Sequence, residues 1–281
     1  MNEAFSENIF NENINFARRK NDSARIILNT TYLDAAAMFR EQNTMPADCD
    51  DVVRLFYEIN GNNMEASTTF EFAFFCRAFA SEIPIKFFES EEDDEYVPKI
   101  AYLQNTFSDK AYSRFSQNFS FIAAIYFTEF REVCEEVYYG RCSHALLPIY
   151  NSRDGMLMSF YRLILKYDLK IISVCNIKMT DESVMRYALL SKNLPRKLTS
   201  KYIDISVVLT DSNSCGRLVS SLEILGAEVV MLNSYPLEYS DDGNGLILQL
   251  DISSSKINAV VLYLEGSKFR YNILGNYDII K

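Results

Sequence analysis

From Lys99 onward, short apolar segments alternate with amphipathic ones, and this alternation limits the folds that the chain can adopt. The segments "KIAYL", "FIAAIYF", "HALLPIY" and "LKIISVCNIKM" have the length and composition of strands. Segments between them, such as "TEFREVCEEVYYG", space their apolar residues as one helix face does, and Gly140 can close that helix. The alternation predicts a mainly parallel sheet with both faces covered.

A second alternation follows Pro195, and its order is different. The segments "YIDISVVLT", "EVVMLNSYPLE", "LILQLDIS" and "KFRYNILGNYDII" are typical of strands, and helical segments follow the first and the third. This βαββαβ order is the ferredoxin-like plan. We therefore predict a separate domain over residues 199–281.

Residues 1–97 are predicted to be mainly helical, because their apolar residues recur at intervals of three and four. Thr30 or Thr31 is expected to cap the first clear helix, and Asp48 or Asp50 the second. "IPIKFF" could add a short strand. The acidic run "ESEEDDEY" before Pro98 is predicted to be a boundary, which leaves an α/β domain over residues 98–195.

The composition excludes several classes of partner. Apolar residues make up 48% of the 281 positions and charged residues 23%, as in ordinary globular proteins with a buried core. A net charge of -10 is unfavourable for binding nucleic acid or an anionic membrane. No apolar run is long enough to span a bilayer, and no secretory signal is evident. We therefore expect a cytoplasmic protein.

The six cysteines are scattered without CxxC spacing, and His144 is the only histidine. This pattern predicts no metal site and indicates reduced cysteines that pack in the core. A Cys–His nucleophile that uses His144 is an alternative to a structural histidine at the start of a buried strand.

Polar residues stand at two places where a predicted strand ends. Asn151 and Ser152 follow "HALLPIY", and Thr106 and Ser108 follow "KIAYL". Such residues can bind a ligand carboxylate at a helix start, or they can cap free backbone donors of the helix itself. Arg186 lies inside the apolar segment "VMRYALL", so it is expected to pair with a carboxylate of a ligand or of an Asp or Glu.

Six short blocks, in order, resemble the prephenate dehydratase family. "KIAYLQNTFSDKAYSRF" is similar to the family's first strand and "GTFS" turn, "PIYNS" to "PIENS", and "VMRYALL" to the "TRF" strand. "NSCGRLVSSL", "LNSYP" and "YNILGNY" are similar to the ACT regulatory domain. The resemblance covers roughly residues 98–281. It implies a periplasmic-binding-protein-like α/β domain followed by an ACT domain.

The resemblance also implies a function. The family converts prephenate to phenylpyruvate, carbon dioxide and water in phenylalanine biosynthesis. It uses no metal or organic cofactor and forms homodimers or larger homo-oligomers through ACT domains that bind phenylalanine. The catalytic positions implied here are Thr106, Ser108, Asn151, Ser152 and Arg186. The amino-acid-binding positions implied are Gly216, Leu218, Val219, Asn233, Ser234 and Pro236.

The chain departs from the family at critical positions. Met185 replaces the catalytic threonine, Tyr150 replaces a carboxylate, and Gln104 and Asn105 replace a longer glycine-rich loop. Only "TDESV" stands where the family has a second subdomain. We therefore expect a relative that binds an aromatic acid or amino acid with impaired catalysis. Two alternatives remain: an active dehydratase whose cleft is completed by residues 1–97 or a partner chain, and a structural module for oligomerisation.

Overall fold

The computed structural model describes residues 23–61, 66–80, 97–194, 199–209, 214–237, 244–253, 255 and 257–280. These residues divide into two compact units. The first unit takes the described residues of Met1–Ile85, Ser220–Leu225 and Asn258–Ser267, and the second takes those of Lys86–Val219, Gly226–Ile257 and Lys268–Lys281. The predicted strand "IPIKFF" and the acidic run after it lie outside the described residues.

The first unit is helical, as predicted. It contains α1 (residues 23–41), α2 (Cys49–Asn60), α3 (Ala66–Phe79), the end of α7 (Ser214–Ile224) and all of α8 (Ile257–Gly266) except its first residue. An aromatic core joins α2 to α3: the ring centroids of Phe56 and Phe72 lie 4.9 Å apart. Gly266 permits close approach of α8, since a Cβ there would lie 2.4 Å from the Phe72 ring.

The helix caps of the first unit were predicted in part. Asp48 is the N-cap of α2, and its carboxylate accepts a hydrogen bond of 2.9 Å from the Asp51 amide, which confirms one prediction. The prediction for Thr30 and Thr31 is wrong, because both lie inside α1. Their hydroxyls donate to carbonyls four residues earlier, a common arrangement for threonine within a helix.

The second unit is built on one sheet of eleven strands within the described residues. The strands are β1 (Lys99–Leu103), β2 (Ala123–Phe127), β3 (His144–Asn151), β4 (Gly155–Met156), β5 (Lys170–Lys178), β6 (Val184–Ser191), β7 (Tyr202–Leu209), β8 (Glu228–Pro236), β9 (Asn244–Asp251), β10 (Arg270–Tyr277) and β11 (Ile279–Ile280). The main order is β2-β1-β3-β6-β5-β10-β7-β9-β8. Three further helices are α4 (Thr106–Ser116), α5 (Phe130–Tyr138) and α6 (Met158–Lys166).

The first half of this sheet is mixed rather than mainly parallel. β2, β1 and β3 are parallel, whereas β6 runs antiparallel to both β3 and β5. The helix α6 begins only at Met158, because Gly155 and Met156 pair back onto β3 as the short strand β4. Gly140 has a φ of 72° directly after α5, which confirms its predicted role in ending that helix.

The second half of the sheet has the predicted ferredoxin-like order. β10, β7, β9 and β8 pair antiparallel in that sequence, and α7 and α8 connect β7 to β8 and β9 to β10. The halves join where Gly275 of β10 pairs with Ile171 of β5. A Cβ on Gly275 would lie 2.4 Å from the Ile171 carbonyl oxygen, so only glycine fits this junction without movement.

Apolar side chains cover both faces of the first half. Leu147 and Val174 belong to the core cluster that includes α5 and α6, whereas Leu146 and Cys175 belong to the cluster that includes α4. All six cysteines are free thiols, four of them buried, in agreement with packing roles. No helix among the described residues is both long enough and apolar enough to cross a bilayer.

Candidate functional site

The start of α4 is capped by Asn105, not by Thr106 or Ser108. The side-chain Oδ1 of Asn105 accepts hydrogen bonds of 3.0 Å from the backbone amides of Phe107 and Ser108. Its amide nitrogen donates to the buried Ser108 hydroxyl at 2.8 Å. Thr106 is exposed. The Asn105 side chain therefore occupies two of the backbone amides that a ligand carboxylate would need.

The turn after β3 is held by the two residues predicted to bind substrate. The Asn151 side-chain oxygen accepts from the Arg153 amide at 3.0 Å. Ser152 bonds to Val184 at the start of β6 twice: its amide donates to the carbonyl at 2.9 Å, and its hydroxyl accepts from the amide at 3.0 Å. Neither residue caps a helix, because α6 begins at Met158 and its N-cap is Leu157, so the capping alternative is wrong. Both residues instead hold the turn, and Ser152 fastens it to β6.

A tight hairpin connects β5 to β6 at the same end of the sheet. The Met179 amide donates to the Ser183 carbonyl at 2.8 Å, and Glu182 adopts a φ of 66° within the turn. The Asp181 carboxylate accepts from the Ser183 hydroxyl at 2.6 Å and from its amide at 3.1 Å, which lowers the pKa of Asp181. The turn is thus closed by its own hydrogen bonds.

Arg186 is half-buried on β6, between register partners on both neighbouring strands. Its guanidinium carbon lies 4.8 Å from the ring centroid of Tyr150 on β3, and its Nε donates to the side chain of Asn176 on β5 at 3.3 Å. Its Nη1 donates to the side-chain oxygen of Gln249 on β9 at 3.3 Å. Within the described residues Arg186 forms no ion pair, so the alternative of an Asp or Glu partner is wrong, while a ligand carboxylate stays a prediction. Two amides and an aromatic ring take that place.

Gln249 links Arg186 to a fully buried carboxylate, Asp204 of β7. The hydroxyls of Tyr161 and Tyr277 donate to Asp204 at 2.7 and 2.8 Å, and the Gln249 amide nitrogen donates to it at 3.3 Å. Burial raises the pKa of Asp204, and these three donors together with the Arg186 charge oppose that rise. We name Arg186, Gln249, Asp204, Tyr161 and Tyr277 the buried network.

The sequence analysis did not identify Asp204, although one signal was present. An aspartate at the third position of "YIDISVVLT" interrupts an otherwise apolar strand. A charged group at such a position requires hydrogen-bond donors nearby. Those donors come from α6, β9 and β10, and this long-range pairing is not evident from the local sequence.

Met185, at the family's catalytic position, packs against a hydrophobic cluster that contains Tyr187 and Leu189. A thioether has no proton to give, so this position supplies no acid. His144 also lacks the arrangement of a general base. Burial lowers its pKa to about 4, its Nδ1 has no hydrogen-bond partner in the described part of the chain, and its ring meets Phe119 edge-on.

The buried thiols are equally unsuited to nucleophilic attack. Burial raises the pKa of Cys134 and of Cys175 to about 12, so both stay protonated at neutral pH. These facts favour the structural reading of His144 over a Cys–His nucleophile. No cluster of metal-ligating side chains occurs among residues 23–280 where they are described.

The predicted amino-acid-binding residues lie on α7 and β8. Gly216 is exposed in the first turn of α7 with open space around its Cα, whereas Leu218 is buried and Val219 half-buried. β8 is the last strand of the sheet order. Its exposure alternates: Asn233 is half-buried, Ser234 is exposed, and Pro236 is exposed. Residues 210–213, which precede α7, lie outside the described residues.

Comparison with known proteins adds to this geometry. The family model described as prephenate dehydratase matches residues 100–225, which is less than half of the chain. No curated protein matches the chain.

Solved structures with a similar fold include prephenate dehydratase from Streptococcus mutans, with a TM-score of 0.57 and 18% identity over 66% of this chain and 100% of that one. GqqA, described as a novel type of quorum quenching acylase, has a TM-score of 0.53 and 19% identity over 64% and 94%. Prephenate dehydratase from Arthrobacter aurescens in complex with L-Phe has a TM-score of 0.51 and 14% identity over 64% and 89%.

The predicted resemblance is therefore confirmed at the level of the domain, while the ACT assignment and the missing subdomain remain predictions. Over residues 100–225 this chain carries the sequence pattern of a prephenate dehydratase domain, within a fold that solved prephenate dehydratases share.

Proposed function

We propose that this chain is a prephenate-dehydratase-like protein of phenylalanine metabolism that binds an aromatic acid or amino acid but has lost most of the dehydratase activity. The family match supports the metabolic class. The hairpin between β5 and β6 is the observation that carries the loss of activity, because the family's second subdomain would have to begin and end there.

The chemistry gives a physical reason. Prephenate must lose carbon dioxide from its ring carboxylate while its hydroxyl leaves as water. Donors for two carboxylates and an acid for the departing oxygen are needed in a site that excludes water. In a site with only one wall, the hydrogen-bond donors stay hydrated, and their electrostatic stabilisation of the transition state is weak.

The residues themselves support the same conclusion. Met185 provides no acid, Asn105 occupies the amides at the start of α4, and Arg186 donates its hydrogen bonds to Asn176 and Gln249. The groups that the family would direct at substrate are bonded within this chain instead. An active enzyme would need residues 1–97 or a partner chain to provide the second wall.

For the ferredoxin-like half we propose an ACT domain with an aromatic amino acid as ligand and a homodimer or larger homo-oligomer as the assembly. A solved relative of similar fold binds L-Phe, which supports the ligand class. The start of α7 at Gly216 and the residues Asn233, Ser234 and Pro236 of β8 are the proposed contacts. The family match supports a cytoplasmic location and a site without a cofactor.

Formation of phenylpyruvate from prephenate tests the catalytic part. The purified chain and the dehydratase from Streptococcus mutans are assayed in parallel by the absorbance of phenylpyruvate in alkali, with a sample lacking protein. Loss of the acid alone predicts a rate at least about a hundredfold below that of the active enzyme. A comparable rate would establish the active-enzyme alternative.

Thermal unfolding with phenylalanine tests the binding part. Ligand at about 100 times its dissociation constant should stabilise the folded chain by about 2.7 kcal/mol. Substitution Asn233→Ala should reduce that shift, while Asn258→Ala outside the proposed contacts should not. The absence of a shift with any aromatic acid or amino acid would favour a purely structural module.

A further inference from the structure

The first unit contains a cleft between α1, α3 and the last turns of α7, and none of the residues assigned above lines it. Its volume is about 380 Å³, within the size range of small-molecule sites. Two of its walls, α1 and α3, precede the family match, which covers residues 100–225, and the resemblance assigns no role to the cleft residues of α7 inside that match, which are Ser220, Glu223 and Ile224.

The walls of the cleft are fixed by hydrogen bonds and ring contacts. Arg77 of α3 donates to the carbonyl of Ile224 at the end of α7, at 3.1 Å. Arg40 of α1 donates to the carbonyl of Ala78 at the end of α3, at 3.2 Å. The rings of Tyr32 and Phe75 meet edge-on at 5.4 Å between centroids. The cleft is therefore preformed, which reduces the entropy cost of binding.

The floor of the cleft is apolar. Phe74 and Ile224 are 6% and 5% exposed, and Leu28 and Phe70 are half-buried beside them. Such a floor favours a ligand with an apolar body, preferably an aromatic one, which gains free energy by leaving water.

The rim carries three charged side chains, Arg25 on α1, Glu71 on α3 and Glu223 on α7. Within the described residues none of them forms a hydrogen bond or an ion pair through its side chain. Glu71 is half-buried, and its negative charge, after burial itself, raises the pKa of Tyr32. Two carboxylates against one guanidinium leave a net negative rim, which favours a cation.

We propose that this cleft binds a small molecule that joins a primary ammonium group to an apolar body. Glu71 and Glu223 bind the ammonium group, and the four apolar residues of the floor enclose the body. Both a free amino acid and a simple amine have this chemistry. Arg25 separates the two sources, because only an amino acid brings a carboxylate for it. The proposal does not depend on the proposed function, which uses other residues.

Titration calorimetry on the full chain tests the proposal with three probes that share one phenyl ring: 2-phenylethylamine, L-phenylalanine and 3-phenylpropionate. The two amines should bind, and 3-phenylpropionate should bind at least about tenfold more weakly. Glu71→Gln should weaken both amines about tenfold, because a charged hydrogen bond is lost. Glu58→Gln, on the exposed side of α2, is the matched control and should change nothing.

Further substitutions identify the source and separate this site from the proposed one. If phenylalanine binds more tightly than 2-phenylethylamine and Arg25→Gln removes the difference, the ligand is an amino acid; Arg54→Gln is the control. Equal affinities support a simple amine. Binding that responds to Asn233→Ala but not to Glu71→Gln belongs to the ferredoxin-like half. Failure of both amines to bind, insensitivity to Glu71→Gln, or equal binding of 3-phenylpropionate would overturn the proposal.

Discussion

Two polar regions of the second unit, the turn after β3 and the buried network, contain residues that the sequence predicted for one active site. The two regions differ in their exposure to water. At the turn after β3, Asn151 bonds to Arg153 and Ser152 bonds to Val184, with Asn151 half-buried and Ser152 exposed to water. In the buried network, Arg186 reaches through Gln249 to Asp204, which is fully enclosed. We therefore expect hydrogen bonds of the same type to contribute different amounts of stability in the two regions, because an unpaired group is costly only where water cannot replace the partner.

The largest expected effect is on the enclosed carboxylate. Asp204→Ala leaves the hydroxyls of Tyr161 and Tyr277 without an acceptor and removes the negative charge near Arg186. We expect a loss of about 4 kcal/mol in the free energy of unfolding. Urea titration measures it. Asp154→Ala, at an exposed position of the turn, is the control and should cost less than about 0.5 kcal/mol; equal losses would contradict the comparison.

A substitution at the junction between the sheet halves should destabilise the chain nearly as much as Asp204→Ala. Gly275→Val places a side chain against the Ile171 backbone, where no flexible atom can move aside. Overpacking of this kind costs about 3 kcal/mol. Gly216→Ala is the matched control, because open space surrounds that helical glycine, and it should stabilise the chain by about 0.5 kcal/mol. A tolerated valine would show that the junction at β10 and β5 is loose.

Two arginines, Arg186 in the buried network and Arg153 at the turn, test the two regions with the same type of side chain. Arg186→Leu leaves the side-chain oxygens of Asn176 and Gln249 without their donor and should cost about 2 kcal/mol. Arg153→Leu removes an exposed ion pair with Asp181 and an exposed hydrogen bond of 3.4 Å to the Asp181 carbonyl, so about 0.5 kcal/mol or less is expected. Chemical denaturation measures the free energy of unfolding of both variants. A larger loss of stability for Arg153→Leu than for Arg186→Leu would contradict the expectation that an unpaired group costs more in the buried network than at the turn.

A smaller effect than that of Arg186→Leu is expected for Ser152 at the turn after β3. Ser152→Ala removes the hydroxyl that accepts from the Val184 amide, and water can take its place in part. We expect a loss of about 1 kcal/mol, measured by thermal unfolding. Ser113→Ala, whose hydroxyl bonds only to a carbonyl of its own helix, should change stability less. A loss above that of Arg186→Leu would mean that the turn is not a hydrated place.

The sequence predicted what short-range patterns determine. Strand and helix segments follow from apolar spacing, and local chemistry explains why the predictions for Asp48 and Gly140 were right. Prediction failed where several residues were equally suitable or the partner was distant. Asn105, Thr106 and Ser108 are all good caps, and only the backbone geometry selects Asn105. Asp204 could not be connected to Arg186, because the connection depends on four strands pairing across the sheet.

The central claim is that Arg186, a predicted substrate residue, holds the two halves of the sheet together through Gln249. A double-mutant cycle with Arg186→Leu, Gln249→Leu and the double variant measures this coupling directly in urea unfolding. We predict a coupling free energy of about 1–2 kcal/mol between the two residues. Additive losses, with coupling indistinguishable from zero, would contradict the account and leave the guanidinium available for a ligand.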